Sequence, residues 1–489
     1  MSEILECIHG IVWGAPVLIL IIGVGIYLTL RTGFVQLRLF PQAMKSFLDK
    51  LLCPDSAGEE VSSFQALCTA LAATVGTGNL VGVAGAICLG GPGAIFWMWI
   101  CGILAMATKY AEVVLAVRYR IRAGNAWVGG PMVMITQALG RSWRWMAYVY
   151  AAFGMMAAFG VGNAAQINAV IGGINDVLSR YHVAQSPARN LWIGLILAVL
   201  IGKLLLGGAK PVGKAAQMLV PVVSAAYIGL CLTVLIRQWD RIPGAVGSIV
   251  QGAFSPRAVT GGMLGSAFQA MKTGCARGVF TNEAGMGTAS IAHASAQNVS
   301  PREQGLMGIV EVFLDTLVIC TMTALVILVS GVPVPYGQDV GGMLTSQAFT
   351  AVLGDWTAIF LAVALCCFAV ATVLGWGIYG VRCCQFLFGP GSCTGFAIAQ
   401  SIVVVAASAV RTDTVWRVAE ILNGLMAVPN LIALAMLTTE VLRLTKEYKK
   451  TGSFDAGGGN YANFHQCKPL RTLSYAEIPS LGCGSQKGR

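Results

Sequence analysis

Long apolar segments, separated by short polar or glycine-rich stretches, follow one another along most of the chain. A helix needs roughly 20 apolar residues to cross the hydrocarbon core of a bilayer, which is about 30 Å thick. Glycine and proline mark most of the segment ends. The pattern predicts an all-α polytopic membrane protein with eleven spanning helices, at residues 10–30, 64–89, 93–117, 145–172, 190–207, 213–236, 261–296 with a break, 303–330, 355–380, 393–410 and 414–442.

Three other segments differ from these spans. Residues 33–52 and 241–254 mix apolar with basic or small polar residues, which predicts helices lying at the membrane interface. The sequence after about residue 449 is glycine-rich and polar and has no period. Such a composition cannot bury enough apolar surface to fold, so we expect a flexible tail.

The composition agrees with a membrane protein and excludes several other classes. Hydrophobic residues make up 56% of the 489 residues and charged residues only 11%, against roughly 25% charged in a soluble domain. The 15 cysteines show no CxxC spacing and the four histidines are scattered, so neither a disulfide framework nor a metal cluster is predicted. Glu3 and Glu6 stand where a cleavable signal would be basic, so the first helix should stay in the membrane.

The net charge of +11 is explained by orientation in the membrane. With the N-terminus outside, the inward loops and the C-terminal tail carry most of the lysines and arginines, as the positive-inside rule requires. We therefore expect an outside N-terminus and a cytoplasmic C-terminus in the plasma or inner membrane. A nucleic-acid partner is not needed to account for the charge.

Two of the predicted spans contain polar, glycine-rich centres. The first is TVGTGNLVG at residues 74–82, where glycines lie beside Asn79. The second is MKTGCARGVFTNEAGMGTAS at residues 271–290, which carries Lys272, Arg277 and Glu283. Glycine alone is common where helices pack closely, but ionisable groups at membrane depth suggest a functional site. Both spans are therefore predicted to be broken helices, and Arg277 and Glu283 are expected to form a structural ion pair in the second.

The two breaks occupy matching places in the chain. The second span opens one set of five helices and the seventh opens the next, so the two sets cross the membrane in opposite directions. Paired interrupted helices in inverted halves are typical of secondary transporters, with the binding site at the breaks. The predicted organisation is an extra helix and an interfacial helix at 1–62, two repeats at 63–240 and 241–445, and a cytoplasmic tail at 446–489.

Broken helices also indicate what the site binds. Freed N–H groups at the start of a half-helix present positive dipole ends to an anion, whereas freed carbonyls face a cation. A small zwitterion suits both. Irregular backbone at that depth is tolerated only where it lines a cavity or is buried in protein.

Several sequence blocks resemble those of a known family. They are GTGNLVGVAGAICLGGPGAIFWMW (76–99), GGPM (129–132), FGVGNAAQINAV (159–170), ARGVFTNEAGMGTASIAHASA (276–296) and VLGWGIYGVRC (373–383). The chain resembles the alanine or glycine:cation symporters, also called sodium:alanine symporters, from about residue 10 to 445. This implies uptake of alanine or glycine with Na⁺, sometimes with protons, and the five-plus-five inverted-repeat fold of the amino acid–polyamine–organocation superfamily. Proton coupling, or a broader range that includes serine, is the alternative.

The resemblance also implies substrate-binding residues. In the first broken helix Thr77, Gly78 and Asn79 would face the substrate, and backbone N–H groups there would bind its carboxylate. Gln166 resembles the family's polar contact, although such a residue can also join two helices.

On the other side of the site, the resemblance places Gly274, Cys275 and Phe280 at the second break, where carbonyls would accept from the ammonium group. Trp376 resembles the aromatic residue that closes the pocket over a small side chain. Each substrate methylene that does not fit would cost roughly 1–3 kcal/mol.

A Na⁺ site is implied between the first broken helix, at Thr74 and Val75, and the helix that carries Thr372. The family usually shows two adjacent hydroxyl residues at the latter position, whereas here Thr372 follows Ala371. One hydroxyl ligand is therefore missing, which leaves the choice between Na⁺ and a proton open.

Other charged residues lie within the predicted spans. Lys109 and Glu112, near the inner end of the third span, should extend to the cytoplasmic surface or pair at that side. Glu311 and Asp315 share a helix face and are either proton-linked carboxylates or partners of Arg277 or Lys272. An enzyme is not expected, because no nucleophile or metal constellation is present, and a channel fits paired inverted breaks less well than alternating access. The expected partners are a small amino acid, the coupling cation and the lipid bilayer.

Overall fold

The computed structural model describes residues 10, 12–13, 15–52, 61–123, 126–254, 267–338, 342–409 and 413–450, and these residues are nearly all helical. The tail from residue 451 lies outside the described residues. The helices of the first half are α1 (Ala15–Arg31), α2 (Val35–Arg38), α3 (Phe40–Leu52), α4 (Ser63–Thr74), α5 (Val83–Gly90), α6 (Gly93–Arg118), α7 (Pro131–Ala138), α8 (Arg144–Phe159), α9 (Ala165–Arg180), α10 (Pro187–Leu206) and α11 (Ala209–Arg237).

The second half is also helical. Its helices are α12 (Ile242–Phe254), α13 (Ala267–Asn282), α14 (Thr288–Ala294), α15 (Pro301–Val312), α16 (Thr321–Val329), α17 (Gly342–Leu353), α18 (Trp356–Phe388), α19 (Ser392–Ala409), α20 (Asp413–Met436) and α21 (Thr438–Lys450). Three π-helical segments continue these helices, at Gly78–Gly82, Gly160–Ala164 and Phe313–Cys320. A short antiparallel hairpin joins β1 (Ile121–Ala123) and β2 (Ala126–Val128).

Helix length and composition support a multi-pass membrane protein. Among the described residues, seven helices are long and apolar enough to cross a bilayer, and nine if each of two bent pairs is one span. The apolar helix at 16–31 is shorter, and the pair α13–α14 carries polar residues. The seven helices and the two bent pairs lie at nine of the eleven predicted spans, and α1 and α13–α14 lie at the positions of the other two.

The first predicted break is present. Helix α4 begins at a capping box, in which Ser62 and Gln65 exchange hydrogen bonds between side chain and backbone. It ends at Thr74, where Val75 adopts an extended conformation, and the half-helix that follows is bent by 46°. The Asn79 carboxamide oxygen accepts from the Gly76 N–H at 2.8 Å. This side chain replaces a helical acceptor and so helps to interrupt the helix.

The second break lies elsewhere than predicted. Helix α13 runs without interruption through Gly274 and Cys275 to Asn282, and the break is a turn at residues 283–287. In that turn Glu283, Gly285 and Gly287 all have positive φ angles, of 53°, 92° and 77°. Only glycine adopts such angles readily. The turn therefore uses the glycines of NEAGMG. The break lies within the predicted segment 271–290, but the placement of Gly274 and Cys275 at the break was wrong.

Gly274 has a packing role that explains the error. A Cβ atom added there would lie 2.2 Å from the Ala94 carbonyl oxygen of α6. The missing side chain lets the two helices approach closely, as small residues do in membrane proteins.

The C-terminal part of the helical region also departs from the prediction. The last span divides into α20 and α21, which are bent by 57° relative to each other. Helix α21 extends to Lys450, so the first residues of the predicted flexible tail are helical. Helices α7 and α17 and the hairpin β1–β2 were not predicted.

Candidate substrate site

A cavity lies where the two broken helices meet the π-helical segment at 160–164 and helix α18. It encloses about 300 Å³ of space between atoms, and part of that space is open to solvent. Its lining residues are Ala73, Thr74, Gly76, Thr77, Gly78, Val161, Gln166, Phe280, Thr281, Glu283, Thr372 and Trp376.

One wall joins the first break to α9. The Thr77 hydroxyl donates to the Gln166 carboxamide oxygen at 3.2 Å, and the Gln166 NH₂ group donates to the Val161 carbonyl at 3.2 Å. Gly78 lines the cavity beside them. Three predicted substrate contacts, Thr77, Gly78 and Gln166, are thus brought together, although Gln166 lies 89 residues from Thr77 in the sequence.

Asn79 does not line the cavity. It is fully buried, and its NH₂ group donates to the Asp315 carboxylate at 2.7 Å and to the Asp315 carbonyl at 3.2 Å. Its carboxamide oxygen accepts from the Gly76 N–H, so the same side chain bonds to both the first break and the π-helical segment at 313–320. The expectation that Asn79 faces the substrate is therefore corrected: it supports the break from behind.

The opposite wall is aromatic. Phe280 and Trp376 both line the cavity. The Trp376 indole N–H donates to a Glu283 carboxylate oxygen at 2.9 Å. A Cβ atom added to Gly162 would lie 2.4 Å from the Trp376 Cβ, so the indole lies directly on the backbone of the π-helical segment. These two contacts fix the position of Trp376. Gly274 and Cys275 do not line the cavity.

The residues proposed for the cation lie beside the first break. The Thr372 hydroxyl donates to the Ala72 carbonyl at 2.9 Å and to the Phe368 carbonyl of its own helix at 3.0 Å. Thr74 and Thr372 both line the cavity, whereas Val75 is buried and does not line it. The neighbouring Ala371 is buried and contributes no oxygen from its side chain. Oxygen atoms are present on both sides of this contact, and they are the ligands that hard cations prefer.

A buried ion pair lies apart from the cavity lining. The Lys109 ammonium is 3.3 Å from one Glu311 carboxylate oxygen, and the His293 imidazole is 3.0 Å from the other. The other imidazole nitrogen contacts the Gln304 NH₂ group at 2.7 Å. All three charged or titratable side chains are fully buried. Lys109 therefore pairs with Glu311 inside the protein. The expectation that it extends to the cytoplasmic surface is not met.

Glu112 is also buried and holds the second break in place. One carboxylate oxygen accepts from the Gly285 N–H at 2.8 Å, the Gly287 N–H at 3.1 Å and the Asn430 NH₂ group at 2.8 Å. Sequence reasoning missed this role. The available signal was a carboxylate on a nearly apolar helix, because such a group needs hydrogen-bond donors once it is buried.

Glu283 is the second residue that sequence reasoning underestimated. We expected it to pair with Arg277 as a structural ion pair. Its carboxylate accepts from the Trp376 indole N–H at 2.9 Å and from the Thr288 hydroxyl at 2.6 Å, and it lines the cavity. An ionisable residue within the NEAGMG turn was the signal that could have identified it.

These features define a class of protein. Spanning helices surround a small cavity at two interrupted helices. Such an arrangement is typical of a membrane transporter.

Comparisons with known proteins identify the family. Residues 1–457 match the sodium:alanine symporter family, and the chain belongs to it. The sodium/alanine symporter AgcS of Methanococcus maripaludis is 40% identical over 453 residues, which cover 92% of this chain and 97% of that protein. The amino-acid carrier protein AlsT of Bacillus subtilis is 36% identical, covering 88% of this chain and 89% of that protein. The resemblance found in the sequence is thus confirmed.

A solved structure supports the fold. The crystal structure of MhsT in complex with L-phenylalanine aligns with a TM-score of 0.55, covering 80% of this chain and 99% of that chain. The sequence identity is 14%, so this likeness concerns the fold alone.

Proposed function

We propose that the protein is a secondary symporter that takes up alanine or glycine together with Na⁺ by alternating access. The observation that carries the proposal is the small cavity between the two broken helices, closed on one side by Trp376. The two large aromatic side chains on its wall, Phe280 and Trp376, favour a small amino acid over a bulky one. Thr77, Gly78 and Gln166 would contact the substrate from one wall and Phe280 and Trp376 from the other.

The coupling cation would bind between the first break and α18. Thr372 supplies a hydroxyl, and the backbone near Thr74 and Val75 supplies carbonyls. Binding there would stabilise one arrangement of the two helices, after which the substrate binds and the five-helix repeats rock relative to each other. The inverted repeat and the outside N-terminus belong to this proposal.

The energy available from the cation is sufficient. One Na⁺ entering the cell releases about 2.3 kcal/mol per 100 mV of membrane potential, and a tenfold sodium gradient adds about 1.4 kcal/mol. Together they would sustain a few-hundredfold accumulation of a neutral zwitterion, because each 1.4 kcal/mol corresponds to a factor of about ten.

Radiolabelled uptake into proteoliposomes tests the proposal. We expect saturable alanine accumulation that requires an inward Na⁺ gradient and collapses when an ionophore dissipates it. Liposomes without protein are the control. Passive alanine flux without accumulation would contradict symport.

Proton coupling is the second candidate, and the apolar side chain at Ala371 favours it, because a proton does not need a full oxygen cage. An inward proton gradient in Na⁺-free buffer distinguishes the two. Accumulation under that condition would replace Na⁺ by a proton as the coupling ion.

A further inference from the structure

Glu283 is the ionisable side chain among the described residues that line the cavity. It is 4% exposed, and it lies in the turn between the two halves of the second broken helix. Its positive φ angle holds the backbone in a conformation that an L residue rarely adopts. A residue held in such a way at a cavity wall is a candidate for a specific task.

The Glu283 carboxylate retains capacity to accept hydrogen bonds. One oxygen accepts from the Trp376 indole N–H and the other from the Thr288 hydroxyl. Both donors are neutral, and an ionised carboxylate accepts about four hydrogen bonds. The Lys109 ammonium attracts the Glu283 carboxylate electrostatically, but its ion pair, at 3.3 Å, is with Glu311. A buried carboxylate is stable when a cation pairs with it.

We propose that the Glu283 carboxylate binds the α-ammonium group of the transported amino acid. The proposal rests on the proposed function and names the residue that recognises one end of the substrate. The other end, the carboxylate, would then face the first break at Gly76–Gly78 across the same cavity. This replaces the earlier assignment of the ammonium to carbonyls near Gly274 and Cys275, which lie outside the cavity.

The surroundings of Glu283 suit an ammonium group better than Na⁺. Phe280 and Trp376 border the same cavity, and aromatic faces attract organic cations. Metal cations such as Na⁺ need several oxygen ligands, whereas the groups bound to this carboxylate are an indole N–H and a hydroxyl donor. The oxygen-rich contact at Thr372 remains the proposed cation site.

The pairing has a consequence for substrate selection. A site built to receive an ammonium group leaves a buried carboxylate unpaired when the ligand lacks that group, so such ligands are rejected strongly. Amino acids with a free α-ammonium group should bind. Lactate, which has the alanine skeleton with a hydroxyl in place of the ammonium, should bind weakly.

A double-mutant cycle tests the proposal with alanine as the probe. The dissociation constant of alanine is measured at saturating Na⁺ for the full-length wild type, Glu283→Gln, Trp376→Phe and the double variant. We expect Glu283→Gln to weaken binding at least about 30-fold in both the wild-type and the Trp376→Phe backgrounds, as for the loss of one partner of a buried charge pair.

Three results would count against different parts of the argument. If Glu283→Gln has no further effect in the Trp376→Phe background, Glu283 acts only by positioning the indole, and the inference is overturned. Unchanged alanine binding in Glu283→Gln also overturns it. Failure of the wild type to bind alanine overturns the proposed function instead.

A measurement on the wild type covers the case in which Glu283→Gln does not fold, as judged by size-exclusion chromatography. Lactate and alanine compete with radiolabelled alanine for the site. We expect lactate to bind at least about 30-fold more weakly than alanine, because it leaves the buried carboxylate unpaired. Lactate that binds within threefold of alanine would overturn the inference.

Discussion

Replacing Glu112 by alanine should destabilise the second break. In the wild type one carboxylate oxygen accepts three hydrogen bonds, from the backbone N–H groups of Gly285 and Gly287 and from Asn430. Asn430 keeps a second acceptor, the Gly285 carbonyl at 2.9 Å. The two backbone N–H groups therefore lose the partner that this side chain provides, in a turn whose positive φ angles leave few other conformations.

The magnitude follows from these two donors. A buried donor left without a partner costs about 1–3 kcal/mol, so two of them cost about 2–6 kcal/mol of unfolding free energy. Glu112→Gln keeps a carboxamide oxygen as an acceptor and should cost less than Glu112→Ala. Glu303→Ala is the control, since that carboxylate is 41% exposed and pairs with Lys50 at 3.0 Å; a partly exposed ion pair contributes less than the partner of two buried backbone donors.

The unfolding free energy of the purified variants can be measured by denaturant titration in mixed micelles, and alanine uptake can be measured in proteoliposomes. We expect the order wild type, Glu303→Ala, Glu112→Gln, Glu112→Ala from most to least stable. If Glu112→Ala were no less stable than Glu303→Ala, the view that this carboxylate holds the turn would be refuted.

Three further predictions concern the cavity and the packing around it. Thr372→Ala should raise the Na⁺ concentration for half-maximal uptake about tenfold or more, and unchanged sodium dependence would remove this hydroxyl from the ion site. Gly162→Ala should weaken alanine binding because its Cβ would lie 2.4 Å from the indole side chain, whereas Gly172→Ala, with no atom within 4 Å, should not. Gly274→Ala should lower the unfolding free energy because its Cβ would lie 2.2 Å from a backbone oxygen, and the control Gly395→Ala has open space. Thermal unfolding of the Gly274→Ala and Gly395→Ala variants in detergent checks this prediction, and equal stability of the two would contradict it.

The predicted spans and the first break follow from local sequence. Apolar length determines where a helix can cross, and the first break has its glycines and Asn79 within a few residues of one another. The second break could not be placed in the same way, because residues 271–290 contain two groups of glycines. Those near Gly274 allow helix packing against Ala94, whereas those near Gly285 allow positive φ angles. Only the tertiary structure distinguishes the two uses.

The sequence also could not predict the direction in which a buried polar side chain points. Asn79 could face the cavity or a neighbouring helix, and its partner Asp315 lies 236 residues further along the chain. Lys109 was expected at the membrane surface, but Glu311 provides a buried counter-charge on another helix. The direction of such a side chain depends on which residue it meets in the folded protein, and the local sequence does not specify that residue.

The hydrogen bond between Trp376 and Glu283 joins the aromatic wall of the cavity to the turn that interrupts the second broken helix. Pocket volume and the stability of that turn are therefore not independent variables. A smaller residue at Trp376 would enlarge the pocket but would also remove the hydrogen bond to Glu283. A wider substrate range obtained at this position would therefore come with a less stable turn. Val161 lines the same cavity, and a change in volume there would leave this hydrogen bond in place, which makes Val161 the better starting point for altering selectivity.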